Sequence, residues 1–294
     1  MRRWRALVMP PAAPVAALVT TSVTALIAAL GGSCAADRYG LSRDWPRGER
    51  VRIILSRKGF DSAAGGGASP IVDGRPISLP IPASAHSHTT YADLGLADAV
   101  QTASRGRFTG QDFCHHDPMF RDDGTCLFGQ CSAAQTHLVN QGVGTGDVFV
   151  FFGLFREEAT REPHHRIFGY QRIEQIVDLA VCSDDERSQY AAFGHPHALG
   201  MHAKNDVIYV GPGRAAQTDN ARLRLSVHDG PPSLWHRPDW MQPGSLSYHS
   251  RQDRWIKGGR LRSVARGQEF VANICQRKAP RKWLEEIIAL ISRS

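Results

Sequence analysis

The chain has 294 residues, 42% of them hydrophobic and 21% charged, a balance that excludes a disordered polar chain and is ordinary for a globular protein. At this length a large core can be buried, so neither disulfides nor metals are required as staples. The net charge of +7 is uneven: residues 1–50 hold seven Arg against three acids, 251–294 hold eleven Lys/Arg against four, and 51–250 hold seventeen bases against twenty-one acids, so the body is mildly acidic and the positive charge sits at its two ends.

Met1–Arg5 is a basic start, and Val15–Leu30 is an apolar run ahead of Cys34. This fits a secretory leader, with Cys34 as the acceptor in a lipoprotein reading, although Gly31 stands where a lipid-anchor box wants Leu or Val. The run of 16 residues falls short of the roughly 20 that a membrane span needs. The preferred expectation is that residues 1–50 are an over-extended start and that folding begins at Val51, because nothing earlier has folding periodicity. That reading makes 51–294 one domain of a cytoplasmic protein; a genuine leader would make it secreted or lipid-anchored. The six cysteines (34, 114, 126, 131, 182 and 275) show no short repeated spacing. Without Cys34 their number is odd, which argues against a disulfide framework and for a reducing compartment.

Val51–Ser56 is an apolar run of strand length. Residues 70–82 hold a hairpin around Asp73-Gly74, and 83–128 read as loop-rich with only short helical hints. Ser132–Gln141 has helical composition, with Ala133, Ala134 and Leu138 on one face and Gly142 as the stop. Val148–Phe155 is a strongly buried strand, with Arg166–Val177 as its antiparallel neighbour across a ten-residue loop. Asp206–Val210 and Leu223–Val227 read as further strands. Trp283, Leu284, Ile287, Ile288 and Ile291 make Arg281–Ile291 an amphipathic helix. With 28 Gly and 17 Pro favouring short strands joined by turns, the expected class is α+β: a mixed, mainly antiparallel sheet or partly closed barrel with a C-terminal helix.

Arg57-Lys58-Gly59 follows a buried strand, and two cations on a Gly-containing turn can cradle phosphate. Asp61 would pair with Arg57 or hold a substrate hydroxyl; the plainer account is a salt-bridged turn closing a sheet edge. His115 and Asp117, with His137 on the following helix, form a candidate proton-transfer set, or loop histidines held by ordinary hydrogen bonds. Gln130 and Gln135, with Asn140 and Gln141, offer donor and acceptor together, which suits a base edge as well as a helix end. Arg266 is a candidate substrate-binding cation and Glu269 a second acid–base candidate or a helix N-terminal charge. Trp235, Trp240, Tyr248 and Trp255 lie among Arg237, Arg251 and Arg254, a pattern for stacking bases or for filling a core.

Two loose metal-ligand sets occur: Cys114, Cys126, Cys131 and His137, and separately His195, His197 and His202 with Asp206. Neither spacing is diagnostic, so no metal is assigned and no cofactor is indicated. Walker, dinucleotide, Gly-x-Ser-x-Gly and His-Glu-x-x-His patterns are absent from the sequence.

Long unlike motifs recur in series: Ile53–Ser62, His115-x-Asp117-Pro118, Phe128-Gly129-Gln130, Ala133–Asp147, Phe151-Phe152-Gly153, Ile167–Tyr170, His195-Pro196-His197, Pro238-Asp239-Trp240, Leu246–His249 and Arg266–Phe270. Through them the chain resembles the nucleotide-modification-associated domain 3 family over 51–294. The resemblance implies association by context with phage and bacterial systems that modify nucleotides or DNA bases; it implies no particular reaction. A fainter likeness, a Gly-Asp turn entering an apolar strand and a strand ending in Phe-Gly-Tyr, resembles the barrel of PUA-like domains, which bind nucleobases. The expectation is a component that binds a nucleotide, a base or nucleic acid. Whether it performs a hydrolase- or transferase-like step or only reads modified bases stays open. An exported or lipid-anchored protein of another role is the third alternative.

Overall fold

An almost uninterrupted apolar run must be covered on both faces, and the first strand is. In the computed structural model, which describes residues 51–83, 85–157, 160–264 and 269–293, β1 (Arg52–Arg57) lies inside the main sheet. It pairs in parallel with β8 (Val148–Glu157) and antiparallel with β15 (Glu269–Asn273). Beyond β8 the sheet continues antiparallel through β9 (Pro163–Arg172), β11 (Val207–Ala215), β7 (Thr125–Gln130) and β6 (Met119–Phe120). β2 (Ser69–Val72) runs parallel to the end of β8 and turns through Asp73-Gly74 into β3 (Arg75–Pro76). Both turn residues have positive φ, 49° and 71°, as a tight two-residue hairpin needs. β10 (Gln175–Asp178) pairs with β11. The result is an α+β fold whose mixed, mainly antiparallel sheet curls into a half-barrel.

Side chains alternate across this sheet. Ile53, Leu55, Val148, Val150 and Phe152 face a core closed by Leu284, Ile287, Ile288 and Ile291 of α5 (Lys278–Ser292). Ile54, Phe149 and Phe151 face the other core, with Phe128, Tyr209 and Leu138 of α2 (Ser132–Asn140). Trp235 and Trp240 belong to the first core, Trp255 packs against it, and Tyr248 is exposed. Smaller pieces surround the cores: α1 (Ala97–Ser104), α3 (Asp184–Ala192), α4 (Pro196–Leu199), and the ladders of β4 (Ile81–Pro82) with β5 (Cys114–His115) and of β12 (Leu234–His236), β14 (Arg260–Arg262) and β13 (Trp255–Ile256). No helix among the described residues is long and apolar enough to cross a membrane.

Four local expectations need correction. Residues 83–128, where only short helical hints are expected, contain the eight-residue α1 and most of β7. β8 continues to Glu157 and β9 begins at Pro163, so both strands run into the expected ten-residue loop. Leu223–Val227 is not a strand: Leu225 and Ser226 both donate to the single carbonyl of His165, so a ladder cannot propagate and only isolated bridges form. The buried face of α2 is Gln135 and Leu138, not Ala133 and Ala134, since the helix packs through its middle. The expectations for residues 1–50 and for Arg266 lie outside the described residues.

Candidate functional site

β1 leaves the sheet at Arg57, and the chain turns at Lys58-Gly59. Gly153 allows this: a Cβ there would lie 2.6 Å from the Lys58 carbonyl oxygen, next to a register shift in β8. The turn borders a cavity of 430 Å³ lined by Arg57, Lys58 and Asp61 together with His115, Asp117, His197 and His202. Gly129, Gln130 and Cys131, where β7 gives way to α2, also line it.

The cations are held from behind. Arg57 Nη2 donates to Asp61 Oδ2 at 2.8 Å, while Asp61 Oδ1 accepts from the Ala63 and Ala64 amides. Asp61 therefore orders the loop and aims Arg57 together. Lys58 Nζ donates to Glu269 Oε1 at 2.9 Å and lies 4.5 Å from the centre of the Phe128 ring. Gln130 Nε2 donates to the same Glu269 oxygen at 2.7 Å. Glu269 is 1% exposed, and its Oε2 has no hydrogen-bond partner among the described residues.

The same cavity borders a buried carboxylate ringed by imidazoles. Asp117 Oδ1 accepts from the Gly129 amide at 2.9 Å. His115 Nε2 and His195 Nε2 stand 3.7 Å from its oxygens, and His197 Nε2 stands 3.9 Å away. Burial pushes the Asp117 carboxyl up, but the facing imidazoles outweigh it and hold the group well below the ordinary carboxylate range. His197 Nδ1 is hydrogen-bonded to Asp206 Oδ1, and Asp206 Oδ2 accepts the His202 amide at 2.8 Å. Burial lowers the pKa of His195 and His202 and brings His116 down to about 4, which keeps these rings neutral near pH 7. Gly129 permits the crowding, because a Cβ there would sit 2.2 Å from the His197 ring.

The expected residues thus divide. Arg57, Lys58, Asp61, His115, Asp117 and Gln130 meet at one cavity, and Glu269 stands directly behind it. Gln135 is in the core, where its Oε1 accepts from the Tyr209 hydroxyl at 2.8 Å. His137 bonds Ser247 Oγ at 3.0 Å and packs on Tyr248; it is not among the cavity residues. Cys114 and Cys126 are buried in separate apolar clusters, so the Cys-rich ligand set does not assemble. The His195–Asp206 set does come together, around Asp117. Gly129 carried no functional weight in the sequence reading; a glycine inside the apolar run of a strand, which marks a close approach, was the available signal.

Residues 52–273 match the family model described as nucleotide modification associated domain 3. No curated protein and no solved structure matches the chain.

Proposed function

Because the chain belongs to the nucleotide modification associated domain 3 family, we propose that its cavity binds the nucleotide or base on which a modification system works and supports a hydrolase- or transferase-like step there. One observation carries this reading: cations, a Gly turn and a buried His–Asp cluster line the same 430 Å³ space. That space lies within the range of small-ligand sites. A phosphate meeting Arg57 would bring the rest of the nucleotide toward His115 and Asp117, while Gln130 supplies an amide in the lining. Chemistry is favoured over passive reading because a base reader needs no ring of imidazoles about a carboxylate, whereas bond-making steps use such groups to move protons or hold an ion.

Calorimetric titration of the full chain with nucleoside mono-, di- and triphosphates tests the reading. Wild type should bind one class, and Arg57→Ala should weaken it about tenfold or more, the loss of a charge-assisted hydrogen bond. His115→Ala and Asp117→Asn should keep affinity and lose turnover in an enzyme. A reader would lose affinity or nothing. Failure of cooperatively folded wild type to bind any nucleotide, or unchanged affinity in Arg57→Ala, would end the proposal.

A further inference from the structure

Asp117 and Asp206 are 4% and 0% exposed at their side chains, and among the described residues no Lys or Arg pairs with either. Their partners are imidazoles. Buried negative charge requires a compensating cation, and imidazole nitrogens are common ligands for one. The distances around Asp117 are informative too. At 3.7 and 3.9 Å, His115 and His197 are too far for hydrogen bonds to Oδ2. Two ligand atoms on one tetrahedral Zn²⁺, each about 2.0–2.1 Å from it, stand about 3.4 Å apart. A closure of a few tenths of an ångström would bring these atoms to that spacing.

We propose that His115 Nε2, Asp117 Oδ2 and His197 Nε2 form a binding site for one divalent transition-metal ion of the Zn²⁺ class. These three ligand atoms lie within 4.8 Å of one another, and two imidazoles with one carboxylate suit zinc and its first-row neighbours. Asp206 acts behind them: its bond to His197 Nδ1 leaves the Nε2 lone pair facing Asp117, the arrangement by which carboxylates orient metal-bound histidines. His195 borders the same carboxylate without joining the ligand set: it is fully buried, makes no hydrogen bond through its ring nitrogens among the described residues, and its Nε2 lies 3.7 Å from Asp117 Oδ1. The alternative set of Cys131, His197 and Asp206 would have to break the His197–Asp206 bond and is disfavoured. All three proposed ligands border the cavity, so an ion there would keep a face open to water or substrate. His115 and His197 would then be ligands and not proton carriers. The site is inferred from these atoms alone and needs no nucleotide.

The test is titration of chelator-stripped full chain with Co²⁺ alone, followed by its visible absorption and by metal analysis. One equivalent should bind and be displaced by Zn²⁺. His115→Ala and His197→Ala should abolish binding, whereas Cys131→Ser and the exposed-surface control His228→Ala should bind as wild type. Asp206→Asn should weaken binding about 10–100-fold. If His197→Ala fails to fold by circular dichroism, the half-buried His115→Ala decides. Sub-stoichiometric Co²⁺ in folded wild type, full binding in His115→Ala, or loss in Cys131→Ser would each overturn the assignment. None of these outcomes depends on nucleotide affinity, so this proposal and the functional one can fail separately.

Discussion

Gly129 separates a formed site from a blocked one. Its hydrogen faces the His197 ring, and a methyl in its place would lie 2.2 Å from Cδ2 and 2.6 Å from Nε2. The ring has little freedom to retreat, being fixed to Asp206. Gly129→Ala should therefore cost about 1–3 kcal/mol by overpacking in urea melts, and should impair binding in the cavity more than it impairs the fold. Unchanged stability and binding would mean that His197 does not pack as described. His165 gives a prediction for pH. Burial, followed by the Arg57 charge, brings its pKa down to about 3, and its Nδ1 accepts from Trp235 Nε1 at 3.0 Å. The native state thus holds this ring neutral while the unfolded chain takes up a proton below about 6.5. The stabilisation is complete above that value and is lost as pH falls toward 3, about 2 kcal/mol by pH 5 for this group. His165→Gln, whose amide oxygen can still accept from Trp235, should flatten the profile between pH 7 and 5; a parallel profile would assign the acid sensitivity to other groups.

At the level of elements, what could be read from the sequence was what repeats locally. β1, β8 and α5 carry their burial as runs or as helical spacing, and they lie where that pattern put them. Leu284, Ile287, Ile288 and Ile291 form one buried stripe, so Leu284→Ala should cost about 2–5 kcal/mol in denaturant melts. A smaller loss would mean that α5 rests loosely on the sheet. β7 was not legible because its stability comes from a partner far along the chain: it is completed by β11, about eighty residues later. The candidate site shows the same division. Arg57, Lys58 and Asp61 form one local turn and could be read together. The ring about Asp117 draws on a β5–β6 loop, the end of β7, the entry to α4 and the start of β11. The set of His195, His197, His202 and Asp206 could be named as candidate ligands, but no spacing rule links it to Asp117, so the joined site was not legible.

For the whole molecule, the net charge of +7 suggests nucleic acid, but its distribution points elsewhere. Every residue lining the cavity falls in 51–250, where acids outnumber bases by twenty-one to seventeen, while the basic excess of 251–294 lies apart in sequence. In α5, Lys278 and Lys282 are exposed. A polyanion lying along that basic segment would displace a counterion for each phosphate it neutralised. For a single strand its affinity would then fall with a log–log salt slope of about −0.7 per contact, or about −3.5 for five contacts. Among the described residues lining the cavity the Lys/Arg side chains are Arg57 and Lys58, and each of these already has a carboxylate partner. The slope for a ligand held there should be no steeper than about −2. Fluorescence anisotropy of a labelled nucleotide and a short single strand, between about 50 and 200 mM salt, separates the two cases. With the cavity as the binding site, both ligands should show the shallow slope, and Lys278→Ala with Lys282→Ala should leave affinity within twofold. A steep slope for the strand that those two substitutions flatten would move nucleic-acid recognition to the C-terminal face and leave the cavity for the small substrate alone.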